Sequence, residues 1–349
     1  MLSRNPAVFL ALAVSASFPT AARAGKTLDA VKARDQVVCG INPSAPGFAS
    51  TDGQGRWVGL DVDLCRAIAA AVLGDAGKVR FVPLDAQERF AALQAGEVDV
   101  LCRNTTFSLA RDVSLGIVFT GGINYYDGQG FMVPKKLNAP RSVRPVESVR
   151  HLEGATICVQ SGTSSEKNVA EYFAAHKIRH KLMVLDTAEA ARSALFGGRC
   201  QAYTTDMSNL AGARTQASNP GDWVVLSEVI SKEPLGPAVR RGDDEWFSLV
   251  RWCFYATVRA EELGITQANV DKLKAESKDP LIQRFVGTGE DTGKLLGLDS
   301  EWTYRIVKQV GNYGESFDRN LGPKSPLGLP RGANNLWTQG GLQYAPPLR

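Results

Sequence analysis

The spacing of apolar and polar residues predicts a strand, a helix and a second strand in the first part of the chain. The two strands are "DQVVCGI" and "KVRFVPL", and between them lies the helical segment "GLDVDLCRAIAAAVLG". In that helix apolar side chains recur every four residues, and Gly74 provides a stop. Another helix and strand follow in "AQERFAALQAGEVDVLC". Strands that alternate with helices in this way predict a parallel sheet covered by helices.

The same order of elements recurs further along the chain. Its segments are "GATICVQSG", "SSEKNVAEYFAAHK", "HKLMVLD", "TAEAARSALFGGR" and "CQAYTTD". Two extended runs, beginning at "GQGFMV" and at "PLGPAV", connect the two units, and two crossings are what hinge closure needs. We therefore expect an α/β fold with two Rossmann-like lobes joined by two crossover strands. Lobe 1 is predicted to comprise residues 25–129 and 236–349, and lobe 2 residues 130–235.

Both ends of the chain have a distinct composition. Residues 1–24 combine a basic start, an apolar stretch and "ARA" before Gly25, which is typical of a secretory signal peptide. No later segment is long and apolar enough to span a bilayer, so we expect a soluble, exported, periplasmic product. The tail from Pro323 is rich in Gly, Pro and Asn and is predicted to be an irregular extension docked on the fold.

Composition limits the classes of partner. The chain has 349 residues, 44% of them hydrophobic, and a formal charge of +4. This is enough apolar material for two domains, and the small charge gives no reason to expect nucleic-acid binding. His176 and His180 alone make a weak metal site, so no metal and no cofactor are predicted. We expect a monomer.

Six cysteines leave their pairing open. Cys39 and Cys102, and likewise Cys158 and Cys200, lie on strands expected to be neighbours. An exported protein permits disulfides without requiring them, so bridges and buried free thiols are equally compatible with the sequence.

The stretch "RNTTFSLARD" (103–112) gathers polar residues where a buried strand should end. Ligands collect beyond the carboxyl ends of parallel strands, because backbone amides and helix N-termini point there. Ser108 can cap a short helix, and Arg111 can offer a carboxylate two parallel donors. The alternative is a surface ion pair of Arg111 with Asp112 or Asp99.

The second unit has matching features at the ends of its strands. In "VQSGTSSE", Thr163 and Ser164 open a helix, and Glu166 completes a capping-box pattern. Asp206 ends the third strand and can pair with a ligand ammonium, assisted by the Asn104 carbonyl and the Thr106 hydroxyl. An anion site beside a cation site describes the backbone of an amino acid. The alternative is that Asp206 merely caps the next helix.

These residues resemble the periplasmic amino-acid-binding proteins of ABC importers (solute-binding protein family 3), and more narrowly the general L-amino-acid-binding subfamily. The resemblance rests on "GLDVDLCRAIA", "ALQAGEVDV", "RNTTFSLARD", "QSGTSSE" and the terminal "GGLQYAPPLR". It implies a type II periplasmic binding fold, a ligand captured between closing lobes, and delivery to an inner-membrane ABC permease. It also implies residue roles: the ligand carboxylate is held by Arg111 and the backbone amides of Thr106, Thr163 and Ser164, and the ammonium by Asp206, the Asn104 main chain and Thr106.

The sequence departs from the family where aromatic residues often face the ligand, because these positions look like Ala45 and Ala86 here. The nearby candidates for contacting a ligand side chain are Phe48, Gln87 and Arg103. Smaller groups leave room, so we expect broad specificity that includes polar or acidic amino acids, since Arg103 can bind a second carboxylate. The alternative is that Arg103 points to solvent.

Two rival functions share this fold. A dehydratase-type enzyme needs a general acid or base in the cleft, for which Glu88 and Asp206 are the candidates. A ligand-sensing module would need no catalytic group at all. We favour a binding protein without enzymatic activity.

Overall fold

The computed structural model describes residues 26–135 and 146–349, together with the backbone of two short strands between them. The predicted signal peptide, residues 1–24, lies outside the described residues. No helix in the described part of the chain has both the length and the apolar character to cross a membrane.

The strands follow the predicted segments closely. In chain order they are β1 (Val37–Ile41), β2 (Ser50–Thr51), β3 (Trp57–Val58), β4 (Val79–Pro83), β5 (Val100–Leu101), β6 (Ile117–Phe119), β7 (Tyr125–Asp127), β8 (Gln129–Pro134), β9 (Leu137–Ala139), β10 (Ser142–Arg144), β11 (Thr156–Gln160), β12 (Lys181–Leu185), β13 (Ala202–Asp206), β14 (Trp223–Val225), β15 (Glu233–Leu235) and β16 (Ala238–Arg240).

The helices cover the faces of the sheets and form the C-terminal region. They are α1 (Lys26–Arg34), α2 (Leu60–Leu73), α3 (Arg89–Ala95), α4 (Leu109–Ser114), α5 (Ser164–Ala175), α6 (Ala188–Phe196), α7 (Met207–Thr215), α8 (Asp244–Glu262), α9 (Val270–Glu276), α10 (Pro280–Val286), α11 (Trp302–Val310) and α12 (Tyr313–Asn320). Helix α2 ends at Gly74, whose φ of 76° is left-handed, as the sequence predicts.

Two five-stranded sheets form the centres of two lobes. In lobe 1 the strand order is β4-β1-β5-β16-β6, and in lobe 2 it is β12-β11-β13-β8-β14. The strands of each α/β unit pair in parallel, but β16 runs antiparallel to β5, and β8 antiparallel to β13. The sheets are therefore mixed and not purely parallel, because each receives a strand from a chain segment that has just crossed between lobes.

The two crossings lie side by side. Strands β7 and β15 pair antiparallel in a two-stranded sheet of their own, with Tyr126 opposite Pro234. Two crossings are present as predicted, but the first is β7, just before the run that begins at Gly128, and that run forms β8 of the lobe 2 sheet. The division at 129/130 and 235/236 stays a prediction, and β8, which begins at Gln129, already belongs to the lobe 2 sheet.

The C-terminal segment packs on lobe 1 and reaches a crossover strand. The side-chain amide of Asn334 pairs with the backbone of Tyr126, accepting from its N–H at 2.7 Å and donating to its carbonyl at 3.1 Å. Gln343 donates to the carbonyl of Ile123 at 2.9 Å. The tail is therefore an irregular docked extension, as the sequence predicts.

The structure decides the cysteine pairing, which the sequence leaves open. The disulfide partner of Cys39 is Cys65 on α2. Cys102 is thus a buried free thiol, one of the two states the sequence leaves open, and Cys39 meets Cys65 because α2 packs directly on β1. Cys158 and Cys200 do form a disulfide.

Candidate functional site

A polar cleft lies between the lobes, beyond the carboxyl ends of β5, β11 and β13. The residues predicted to bind the carboxylate and ammonium groups all line it: Arg111, Thr106, Thr163, Ser164, Asp206 and Asn104. Several cross-lobe hydrogen bonds close its edges, including Gln87 Nε2 to Ser161 Oγ at 2.6 Å. The lobes are therefore in contact across the cleft in this structure.

The lobe 1 loop that carries Asn104 is anchored from behind. The Asp61 carboxylate accepts from the Asn104 N–H at 2.6 Å and from Asn124 Nδ2 at 2.8 Å. Asn104 has a φ of 34°, a left-handed conformation that asparagine tolerates better than most residues. Burial raises the pKa of Asp61 to about 6 although both hydrogen bonds oppose this. Asp61 thus anchors the loop at Asn104 from the side away from the cleft.

Arg111 points into the cleft and makes no ion pair with any other described residue. Its Nη1 donates to the Thr106 carbonyl at 3.0 Å, and its guanidinium lies 5.6 Å from the centre of the Phe90 ring. The alternative pairing is wrong, because Asp99 binds Arg34 and Asp112 accepts from the Phe119 N–H. Ser108 does stand at the N-cap of α4, but without a side-chain capping bond.

In lobe 2 the first turn of α5 is aimed at the cleft. The Thr163 hydroxyl accepts from the Glu166 N–H at 3.3 Å and donates to the Gln160 carbonyl at 2.7 Å. The Glu166 carboxylate accepts from the Gly162 N–H at 3.0 Å, one residue before the N-cap. The predicted cap is therefore present, although Glu166 binds one residue earlier than in a standard capping box.

Asp206 lies at the end of β13, buried at the floor of the cleft. It stands at the N-cap of α7, yet its side chain makes no capping hydrogen bond, which removes the alternative role. Burial raises the pKa of Asp206 well above its usual value, and the carboxylates of Asp127 and Glu233 add to this, while Arg111 and Arg89 oppose it. A cationic group placed beside Asp206 would relieve this cost.

The predicted side-chain pocket is only partly present. Phe48, Ala45 and Ala86 are buried in the packing of lobe 1 and do not line the cleft, so their assignment is corrected. Phe48 packs edge-on against Tyr125, with ring centres 5.3 Å apart, because it lies on the core side of its loop. The side-chain amide of Gln87 already donates a hydrogen bond to Ser161 Oγ.

Arg103 does line the cleft. It is 3% exposed, and its Nε donates to the Leu84 carbonyl at 2.7 Å, so the solvent-facing alternative is wrong. Burial lowers the pKa of Arg103 to about 10, still far above neutrality, so the guanidinium stays charged.

The sequence did not indicate two further arginines of the cleft. Arg89 is 3% exposed; its Nη2 donates to the Gly162 carbonyl at 3.3 Å, and its buried Nε has no partner among the described residues. Arg192 donates across the cleft to Ser44 Oγ at 3.0 Å. The sequence carries no local signal for either arginine, because their partners lie in the other lobe. With Arg103 and Arg111 they make the cleft suited to a ligand that carries more than one carboxylate.

Glu233 was also missed, although it touches two predicted site residues. Its carboxylate accepts from the hydroxyls of Thr106 and Ser164, so these hydroxyls do not donate to a ligand. Thr106 and Ser164 can therefore offer an anion their backbone amides only. Glu88, by contrast, is exposed and absent from the cleft lining, which removes it as a general acid or base.

A cluster of three sulfurs lies outside the cleft. The sulfurs of Cys39, Cys65 and Cys102 lie within 4.8 Å of one another. Because two of them are joined in a disulfide, they do not offer a set of metal ligands.

Comparisons with known proteins agree with this geometry. Residues 37–268 match the family described as bacterial extracellular solute-binding proteins, family 3. The chain belongs to this family. It is 51% identical to the general L-amino acid-binding periplasmic protein AapJ of Rhizobium johnstonii, over 97% of this chain and 96% of that one. It is 49% identical to the glutamate/glutamine/aspartate/asparagine-binding protein BztA of Rhodobacter capsulatus, over 99% and 100%.

The solved structures extend the likeness to the whole fold. A periplasmic binding protein of an ABC transporter from Brucella ovis, with glutathione bound, is 52% identical, with a TM-score of 0.88 over 93% of this chain and 99% of that one. The fold is thus the type II periplasmic binding fold, and the protein is a solute-binding protein.

Proposed function

We propose that this solute-binding protein captures L-amino acids, acidic ones included, between its lobes in the periplasm and delivers them to an inner-membrane ABC permease. The observation that carries the proposal is the pairing of Arg111 from lobe 1 with Asp206 from lobe 2 on one cleft. A cation and an anion at fixed positions match the carboxylate and ammonium of one amino acid. The names of the relatives AapJ and BztA support the same class of ligand.

In this proposal the ligand carboxylate lies against Arg111 and the backbone amides of Thr106, Thr163 and Ser164. The ammonium lies against Asp206, the Asn104 carbonyl and the Thr106 hydroxyl. A ligand that touches both lobes has a higher affinity for the closed form, so it shifts the hinge equilibrium towards closure. The permease then recognises the closed shape, and no bond of the ligand is broken.

A second candidate ligand is a peptide with two carboxylates, such as glutathione. It is supported by the glutathione in the Brucella ovis relative and by the four arginines of this cleft. Glutathione also has one ammonium, which suits Asp206.

A thermal-shift screen of the mature protein against the common amino acids and glutathione tests the proposal. Binding to the folded state raises the unfolding temperature in proportion to the logarithm of ligand concentration over the dissociation constant. We expect the largest shifts for glutamate and aspartate. A screen in which no amino acid and no glutathione raises the unfolding temperature would contradict the proposal.

A further inference from the structure

Glu233 is a buried carboxylate on the second crossover strand, β15. It is 1% exposed, and it lies opposite Asp127 of the first crossover strand. A carboxylate this deep is costly unless it is fully hydrogen-bonded. The ligand contacts proposed above make no use of it, so its position calls for a separate explanation.

Four side chains from three parts of the molecule donate to this carboxylate. Its Oε2 accepts from Thr106 Oγ1 of the lobe 1 loop at 2.5 Å and from Ser164 Oγ of α5 at 2.9 Å. Its Oε1 accepts from Asn168 Nδ2 of α5 at 2.6 Å and from Ser231 Oγ at 2.5 Å. Glu233 therefore connects the ligand loop of lobe 1 to the first turns of α5 in lobe 2.

An ionised carboxylate only accepts hydrogen bonds, and a hydroxyl has a single proton to give. Thr106 and Ser164 both donate that proton to Glu233. Their two oxygens, 3.1 Å apart, are then left as acceptors. Thr106 can thus receive a hydrogen bond from a cation in the cleft, and its hydroxyl proton cannot turn towards that cation.

We propose that Glu233 is a positioning residue, which stabilises the closed arrangement of the lobes and fixes the Thr106 hydroxyl as an acceptor. Its second task rests on the amino-acid function proposed above, while its first task does not. Glutamine at this position keeps the size but replaces one accepting oxygen with a donating nitrogen. Either orientation of that amide places a donor against donors that now bind Glu233.

The test compares Glu233→Gln with Glu228→Gln. Glu228 is a matched control, because its carboxylate accepts from Ser148 Oγ at 2.7 Å and from the Val149 N–H at 2.9 Å inside lobe 2 only. Two quantities are measured for each variant and the wild type. They are the dissociation constant for L-glutamate by calorimetry and the radius of gyration of the ligand-free protein by small-angle X-ray scattering.

We expect Glu233→Gln to weaken glutamate binding by about tenfold or more, the effect of losing one hydrogen bond to a charged group. Its ligand-free form should have a larger radius of gyration than the ligand-free wild type. Glu228→Gln should match the wild type in both measurements. Circular dichroism spectra that coincide for all three proteins show that the variants are folded.

Unchanged affinity together with an unchanged radius of gyration would overturn the role of Glu233. Equal losses in Glu228→Gln would overturn it too, because they would reflect a general loss of stability. If the wild type itself binds no amino acid, the proposed function fails, yet the radius of gyration still tests the link between the lobes.

Discussion

The two lobes build their sides of the cleft by different means. Lobe 1 presents side-chain charge, with Arg89, Arg103 and Arg111 set around a loop that Asp61 holds from behind. Lobe 2 presents the amides of a capped helix start, together with Asp206. In the proposed binding mode lobe 1 contributes the guanidinium that holds a carboxylate, whereas lobe 2, which also carries Arg192, contributes the carboxylate that pairs with an ammonium.

This difference between the lobes predicts which substitutions weaken all ligands and which change the selectivity among ligands. Changes in lobe 1 should weaken every ligand that has a carboxylate. Changes in lobe 2 should weaken ligands unequally, according to their ammonium or their second carboxylate.

The largest effect is expected for Arg111→Ala. Without this guanidinium a buried carboxylate loses its charged partner, so amino-acid affinity should fall by about a hundredfold or more. Calorimetry measures the change. Arg56→Ala serves as the control, because Arg56 pairs with Asp52 on the exposed surface of lobe 1. An affinity that stays within a factor of two of the wild type would refute the carboxylate role of Arg111.

Arg192→Met tests what lobe 2 contributes to the binding of a second carboxylate, because it removes a cation of that lobe. Methionine keeps most of the aliphatic stem while removing the charge and the bond to Ser44. Glutamate binding should weaken by about tenfold, and binding of a neutral amino acid by much less. Competition calorimetry with glutamate and glutamine measures the ratio. An equal loss for both ligands would assign Arg192 a structural role only.

The pH dependence of binding should follow Asp206. Burial and the neighbouring carboxylates raise the pKa of Asp206 in the ligand-free protein. A bound ammonium favours the ionised form, so it lowers that pKa again. At a pH between the higher pKa of Asp206 in the ligand-free protein and its lower pKa in the complex, binding releases a proton. The affinity therefore rises with pH.

Calorimetry at pH 5 and pH 8, in buffers of different ionisation enthalpy, measures both quantities. We expect tighter binding at pH 8 than at pH 5, with proton release in the range where the affinity rises with pH. Proton uptake, or tighter binding at pH 5, would show that Asp206 does not meet the ammonium as an ionised group.

Local sequence patterns predict a helix or strand well where residues close together in the chain determine its bounds. Helix α2 spans Leu60–Leu73, as predicted, because its apolar periodicity and Gly74 are both local signals. The antiparallel placement of β16 was not predictable in the same way, since it depends on where the chain returns after leaving lobe 2.

The residues of the candidate site also fall into two groups, those that the local sequence indicates and those that depend on distant contacts. Arg111 and Asp206 follow strand ends, so their place in the cleft could be inferred from the sequence. Arg89, Arg192 and Glu233 act through residues in the other lobe, such as Ser44, which lies 148 positions before Arg192. No local pattern records such contacts, and the same reason explains why the sequence leaves the pairing of Cys39 open.

The central claim is that the carboxylate and the ammonium of one amino acid take their charged partners, Arg111 and Asp206, from opposite lobes. Calorimetric titration of wild type and Asp206→Asn with L-glutamate and with its deaminated analogue 2-oxoglutarate tests it most directly. We predict that the substitution weakens glutamate binding by at least about tenfold more than 2-oxoglutarate binding, because only glutamate has an ammonium to lose its partner. An equal loss for both ligands would contradict the account.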